Sequence, residues 1–240
     1  STRLREGDSV LACEIGSTKS SIVFFSSFGT AYTARIIDIP ATSGYGEPIQ
    51  KLFKLKDGER IVAAFSLDSR VTGALGSDPE KRGKTFAVAA SSDGLGLAFG
   101  LEPFATPSTR AGRRFAKPAE GAQIVGVERV HGKETLVAVT RARRALVCGV
   151  NEVSFLTGPG KGVTLVKLED DDALLGIKAT SDSKDALVVE TSMGGEQRIT
   201  IQSYEKTGRG GRGREIMKRG TLVRVVPQTP PAPAPFEEGK

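Results

Sequence analysis

The chain has 240 residues, among them 29 glycines, 12 prolines, one histidine and no tryptophan. Its formal net charge of +6 favours a polyanionic partner such as DNA, RNA or an acidic membrane. No apolar run approaches the roughly twenty residues of a membrane span, and the charged, polar first residues predict no signal peptide.

A strand-turn-strand pattern recurs along the chain. Four short apolar segments open its copies, at Ile22, Phe86, Leu136 and Leu187. The last three openings lie 50 and 51 residues apart. Each opening is followed 24 to 26 residues later by a landmark glycine, and these are Gly46, Gly112, Gly162 and Gly213. Two markers in the same register indicate one supersecondary unit used several times.

In chain order, the pattern predicts one domain over residues 1–226. A partial closing strand at 3–15 comes first, followed by repeat units at about 16–68, 84–131, 134–182 and 185–226. The first interval is longer than the others, and its excess falls in a polar surface loop at 69–82. A Pro-rich tail at 227–240 lacks core-forming residues and is expected to be disordered or extended.

The elements themselves have the signals of strands. From each opening onwards, successive side chains point to alternate faces of an extended chain, and over residues 22–25 both faces are apolar. No amphipathic helix of ordinary length is evident. Hairpin turns are predicted at 27–29, 92–94 and 193–195. The expected fold is therefore all-β, a propeller-like disc of about four blades, each mostly of four antiparallel strands. Its first and last segments help to close the array.

Residues that could carry chemistry are scarce. Cys13 and Cys148 lie in strand-like stretches and are expected to be buried, reduced thiols of a cytosolic protein. The lone His131 falls in a turn, which leaves little room for a zinc site or a catalytic triad. Gly158–Gly162 lacks the spacing of a phosphate-binding loop. We therefore expect no catalytic residue, metal or cofactor in this chain.

Glycine-rich, basic turns surround three of the landmark glycines, Gly112, Gly162 and Gly213, whereas the turn at Gly46 is nearly uncharged and is followed by Lys51 and Lys54. Glycine lets backbone N–H groups approach a phosphate closely, and Arg or Lys neutralises its charge, although neither element reads bases. A ring of such turns would bind and bend a duplex with little sequence preference. The candidate DNA-binding residues are Arg35, Lys51, Lys54, Arg110, Arg113, Arg114, Lys117, Arg141, Arg143, Arg144, Lys161, Lys206, Arg209, Gly210, Gly211, Arg212, Gly213 and Arg214.

Several segments carry a family resemblance: 24–32, 39–40, 46–49 and 58–61. They resemble the C-terminal domain of the A subunit of bacterial DNA gyrase and of its topoisomerase IV counterpart, and the likeness extends over nearly the whole chain up to the tail. The resemblance implies a β-pinwheel, whose four-stranded blades hand strands to their neighbours. It also implies a domain that binds and bends duplex DNA around a basic rim and presents a segment for strand passage.

The resemblance implies partners as well: double-stranded DNA, the rest of the topoisomerase A subunit, and the ATPase B subunit that it binds. The location it implies is cytoplasmic and nucleoid-associated, without a membrane. The family's catalytic residues lie in domains absent here. Gyrase carries a box, Gln-Arg-Arg-Gly-Gly-Arg-Gly, and residues 207–213 match five of its seven positions, but in the last unit instead of the first. Gyrase and topoisomerase IV therefore remain alternatives.

Two other functions remain open on the sequence. A propeller-like protein-interaction platform without DNA wrapping would need exposed apolar residues, to which Tyr45, Phe104 and Phe155 could contribute. A stand-alone enzyme is disfavoured by the single histidine and the absence of clustered acids.

Overall fold

The computed structural model describes residues 3–75 and 85–236. Regular structure in these ranges is β-strand, apart from the single-turn helix α1 (Ser69–Thr72) and four short 3₁₀ turns. The all-β class expected from the sequence is therefore confirmed. The strands are β1 (Ser21–Ser26), β2 (Thr30–Arg35), β3 (Ile61–Ser66), β4 (Phe86–Ser91), β5 (Leu95–Gly100), β6 (Arg113–Arg114), β7 (Ile124–Val130), β8 (Thr135–Thr140), β9 (Arg144–Gly149), β10 (Phe155–Leu156), β11 (Val163–Thr164), β12 (Leu174–Thr180), β13 (Ala186–Thr191), β14 (Glu196–Thr200), β15 (Arg214–Glu215) and β16 (Leu222–Val225).

The strands form four sheets that follow one another along the chain. Within the described residues their strand orders are β3-β1-β2-β6, β7-β4-β5-β11, β12-β8-β9-β15 and β16-β13-β14. In each of the first three sheets the last strand comes from the following sequence unit. We call β6, β11 and β15 the handover strands. The short β10 adds a parallel partner to β5, beside the antiparallel pairing of β11.

The opposite edges of the sheets meet one another. Strands β3, β7, β12 and β16, which we call the hub strands, contact one another in that order. Their close approach uses small residues, because a Cβ on Gly126 would lie 3.0 Å from Ile177 and one on Gly176 would lie 2.5 Å from Val225. Since the hub strands converge, the handover strands at the other edge of each sheet lie at the outer edge of the array.

Hairpin turns join the central strands, and the three predicted from the sequence are formed. Gly29, Gly94 and Gly194 have φ values of 79°, 82° and 83°, a left-handed conformation that glycine adopts without steric cost. In the third unit, Arg143 occupies the corresponding position with φ of 65°. A non-glycine residue held there is under backbone strain.

The core lies between successive sheets. On β1, Val23 and Phe25 face the second sheet. On β4, Ala87 and Ala89 face the first sheet, and Val88 faces the third. Central strands are thus apolar on both faces, as the sequence predicted for sandwiched strands. A third cluster, which includes Val137 and Val189, joins the third sheet to the fourth.

Residues 3–15 contradict the expectation of a partial closing strand, because the structure forms no strand there. The segment is held by the side chain of Glu14, whose carboxylate accepts from the Ser66 N–H at 3.0 Å and from Arg129 at 3.1 Å. Its apolar side chain Leu11 is 52% exposed. For the same reason Cys13 is exposed and not buried as expected. Cys148 is buried, and desolvation raises the pKa of its thiol to about 12.

The loop predicted at 69–82 begins with α1, which Asp68 caps by accepting from the Arg70 N–H. Residues 76–82 of that loop lie outside the described residues. The predicted start of the second unit, at residue 84, also lies outside them. Of the predicted tail, residues 227–236 form neither helix nor strand, and 237–240 lie outside the described part. The guanidinium carbon of Arg70 lies over the Phe236 ring, 3.6 Å from the ring centroid.

Glu128 on hub strand β7 makes stability depend on pH. Burial raises the pKa of its carboxyl to about 7, against the opposing charge of Lys178. Between the ordinary pKa of 4.5 and the raised pKa of about 7, folding therefore takes up a proton. The stability that this carboxyl contributes is lost as the pH rises through that range. Glu128→Gln should match the original protein at pH 4 and exceed it by about 2 kcal/mol at pH 8. Denaturant titrations at pH 4, 6 and 8 measure this, and a pH-independent difference would contradict it.

Candidate nucleic-acid interface

The basic turns lie at the outer edge of the array, because each leads directly into a handover strand. Gly112 precedes β6, Gly162 precedes β11 and Gly213 precedes β15. All three have positive φ values, of 71°, 91° and 72°. The turns of successive units therefore recur at equivalent places along one edge of the array.

The landmark glycines have a structural role that the sequence did not indicate. A Cβ on Gly112 would lie 2.8 Å from the Ala31 carbonyl oxygen, and one on Gly213 would lie 2.6 Å from that of Ala145. A Cβ on Gly162 would collide with the Gly96 carbonyl. Around Gly46 nothing lies within 4 Å, because no sheet precedes the first one in the described residues. The glycines thus permit close approach to the preceding sheet.

Gly210, predicted as a DNA-binding residue, uses its backbone N–H within the protein. That N–H donates to the Leu165 carbonyl at 2.7 Å, across the junction between the third and fourth units. Gly211 is exposed, and its carbonyl accepts from the Lys167 N–H at 2.9 Å. The glycines of this turn therefore hold adjacent units together.

The second unit places four cations at the edge. Arg110, Arg114 and Lys117 are exposed. Arg114 donates to the carbonyls of Phe28 and Ala116 at 3.4 and 3.3 Å. Arg113 is half-buried and donates to the Pro103 and Pro107 carbonyls and to the Thr106 hydroxyl. It braces its own loop, although neutral acceptors leave its charge uncompensated.

In the third and fourth units the cations divide into three groups. Lys161 and Lys206 are exposed. Arg209 braces the turn, because its guanidinium donates to the Glu152 carbonyl at 2.7 Å and to that of Thr164 at 3.1 Å. Arg212 pairs with Glu169 at 3.2 Å and Arg214 with Glu205 at 2.5 Å. Exposed pairs of this kind contribute little to stability and exchange readily for another anion.

The cations predicted in the first unit differ in the same way. Arg35 pairs with Asp38 at 3.2 Å, and Lys51 pairs with Glu47. Lys54 is exposed, and its backbone N–H donates to the Arg110 carbonyl at 2.7 Å. The structure thus brings Lys54 beside the basic turn of the next unit.

Three predicted DNA-binding residues, Arg141, Arg143 and Arg144, lie at the hairpin between β8 and β9. Arg143 donates to the Gly220 carbonyl at 2.9 Å and pairs with Glu215 at 2.8 Å. Arg144 donates to the Gly213 carbonyl at 3.2 Å. Both side chains therefore connect the third sheet to the fourth unit. Arg141 alone of the three is exposed.

Sequence reasoning missed two cations at equivalent places. Lys54, Lys117, Lys167 and Lys218 each follow two apolar residues, and the last three lie five residues after a landmark glycine. All four are exposed. The apolar-apolar-Lys pattern was present in the sequence and could have identified Lys167 and Lys218.

The three tyrosines do not form a nucleophilic site. Tyr32 is buried, and burial together with its 3.0 Å hydrogen bond to Glu59 raises the pKa of its phenol to about 12. Tyr45 is exposed and Tyr204 half-buried. Within residues 3–75 and 85–236, no three His, Cys, Asp or Glu side chains group as metal ligands do. None of the helices in these ranges has the length and apolar character needed to cross a membrane.

Comparison with known proteins agrees with this architecture. The family described as the DNA gyrase C-terminal domain, a β-propeller, matches residues 20–68 and 134–181. The A subunit of DNA gyrase from Haloquadratum walsbyi is 25% identical over 215 residues, which are 88% of this chain and 24% of that protein. The A subunit of DNA topoisomerase 4 from Staphylococcus epidermidis is 21% identical over 228 residues, 90% of this chain and 26% of that protein. The chain therefore spans about a quarter of the length of the curated relatives it matches.

Solved structures share the fold. The C-terminal domain of DNA topoisomerase IV superimposes with a TM-score of 0.79 at 19% identity, covering 93% of this chain and 68% of that one. The E. coli ParC C-terminal domain gives a TM-score of 0.66 at 20% identity, covering 90% and 84%. The resemblance to the gyrase A and topoisomerase IV A C-terminal domains is thereby confirmed, as is the β-pinwheel with its exchanged strands.

Proposed function

We propose that this relative of the gyrase A and topoisomerase IV A C-terminal domains is a non-catalytic module that binds duplex DNA along its outer edge. The observation that carries the proposal is the recurrence of exposed cations in the handover strands or in the turns before them: Arg110 and Arg114, then Lys161, then Lys206 and Arg212. Cations of this kind neutralise phosphates without reading bases, so binding is expected to show little sequence preference.

A curved edge of cations also bends the duplex that follows it. Smooth bending of a 20–30 base-pair site costs on the order of 1–6 kcal/mol, which further phosphate contacts offset. The complete topoisomerase would also contain the ATPase B subunit. Within it, this module would present a bent DNA segment for strand passage. Supercoiling and decatenation are both compatible with that role.

Topology is the direct test of wrapping. Relaxed circular plasmid is incubated with the chain, strand breaks are closed by a separate topoisomerase I, and the topoisomers are resolved on a gel. A shifted distribution means that the outer edge constrains writhe, as in wrapping. An unchanged distribution with salt-sensitive binding means bending alone. No duplex binding at 100 mM salt would overturn the proposal.

Removal of outer-edge charge should weaken binding in a salt-dependent way. The variant Arg110→Gln, Arg114→Gln, Lys161→Gln and Lys206→Gln leaves the bracing residues Arg113 and Arg209 in place. The slope of log affinity against log salt should fall by roughly 0.9 for each phosphate that is no longer neutralised. The control is Lys133→Gln with Lys184→Gln, which removes two exposed cations near the hub strands. Equal slopes for the two variants would contradict the outer-edge assignment.

One observation favours the alternative of a protein-interaction platform. The outer face of the first sheet carries an open apolar groove of about 340 Å³, lined by Leu11, Ile22, Phe24 and Ile61 among others. Tyr45 is 62% exposed, whereas Phe104 is buried and Phe155 only half-exposed, so these two contribute little surface. A stable protein partner in the absence of DNA retention would support this function.

A further inference from the structure

Three backbone hydrogen bonds of one kind cross the junctions between successive units. The Lys54 N–H donates to the Arg110 carbonyl at 2.7 Å, and the Lys117 N–H donates to the Gly160 carbonyl at 2.8 Å. The Lys167 N–H donates to the Gly211 carbonyl at 2.9 Å. At every junction, a lysine of one unit is therefore held against the basic turn of the next.

Each of these bonds joins the backbones of two cation-bearing segments from different units. Lys54 lies beside Arg110, Lys117 beside the residue before Lys161, and Lys167 beside the residue before Arg212. Arg110 also reaches over the first junction, because its guanidinium donates to the Gln50 carbonyl at 3.3 Å. All six side chains are exposed.

Carboxylates compensate this charge at the third junction but not at the first two. In the part of the chain that the structure describes, no ion pair involves Lys54, Arg110, Lys117 or Lys161. At the third junction Arg212 pairs with Glu169. Like charges on neighbouring residues oppose folding unless an anion lies between them. We therefore expect electrostatic repulsion in the free protein at the first two junctions.

We propose that each junction is a two-cation clamp for one phosphate group of the nucleic acid backbone, so that ligand binding also fastens adjacent units together. The clamps are Lys54 with Arg110, Lys117 with Lys161, and Lys167 with Arg212. This inference rests on the proposed function for its ligand and adds where the phosphates lie and how binding couples to stability. In the absence of DNA, Glu169 pairs with Arg212 of the third clamp.

The clamps predict opposite effects on stability and on binding. The variant Lys54→Gln, Lys117→Gln and Lys167→Gln removes one cation from each junction and leaves the cross-junction backbone bonds. In 20 mM salt without ligand, its melting temperature should rise by about 2 °C or more, and the rise should vanish at 0.5 M salt. Its affinity for a 40-base-pair duplex should fall about tenfold or more at 100 mM salt, with a smaller salt slope.

The chain provides a matched control in Lys218. It occupies the same place in the fourth unit, and no later unit faces it in the described residues. Lys218→Gln should therefore leave the melting temperature of the free protein unchanged. A complementary variant, Glu169→Gln, empties the third clamp and should lower the melting temperature in low salt while raising affinity about twofold to fivefold.

The outcomes separate this inference from the proposed function. If the original chain binds duplex DNA but the triple variant melts no higher than it, or no higher than Lys218→Gln, the clamps are wrong and DNA binding stands. If the stability changes occur but the original chain does not bind duplex DNA at 100 mM salt, the proposed function fails, and with it the assignment of DNA phosphate as the ligand.

Discussion

Replacing Gly162 by alanine is expected to lower the free energy of unfolding by about 3 kcal/mol or more. The residue has φ of 91°, where an L side chain is strained by about 1–2 kcal/mol. The new Cβ would also collide with the backbone carbonyl of Gly96 on β5, and this rigid neighbour cannot rotate away. Relief of the collision requires β11 to leave the second sheet. Denaturant unfolding measures the loss, and hydrogen exchange at Val163 and Thr164 should report local opening.

Gly46→Ala is the matched control. Its φ of 84° is similar, but nothing lies within 4 Å of the added Cβ. Its cost should therefore be the backbone strain alone, about 1–2 kcal/mol. Equal losses for the two variants would show that left-handed backbone strain, and not the approach of a neighbouring sheet, explains the requirement for glycine.

Phe25→Ala should destabilise the protein by about 3–5 kcal/mol. The Phe25 ring is fully buried, and its centroid lies 4.9 Å from that of Phe115 and 5.6 Å from that of Phe99. Phe99 belongs to the second sheet, and Phe115 follows the handover strand β6. Truncation therefore leaves a cavity at the joint between two sheets and removes edge-to-face contacts. Thermal and denaturant unfolding measure the effect.

The exposed Tyr45 is the control for loss of an aromatic ring. Its side chain is 62% exposed, so Tyr45→Ala should change stability by at most about 0.5 kcal/mol. A small loss for Phe25→Ala, close to that of Tyr45→Ala, would mean that the first two sheets do not depend on this aromatic joint.

Much of the local structure follows from the order of the amino acids. Apolar openings at a fixed period predicted the central strands, and the turns at Gly29, Gly94 and Gly194 were predicted from their residues alone. These features depend on contacts within a few residues, where side-chain alternation and backbone preference act directly. The basic turns were identified for the same reason, since charge and glycine content are visible in a short window.

The tertiary structure decided which parts of these turns face solvent and which hold units together. The handover strands have two residues each, too few for alternation to be recognised, and their partners lie in another unit. Only the packed array shows that Gly162 meets the preceding sheet, that Arg209 and Arg143 bond across junctions, and that Lys117 lies beside the next basic turn. The physical reason is that these contacts join residues distant in sequence, whose proximity exists only when neighbouring sheets have buried their apolar faces against one another.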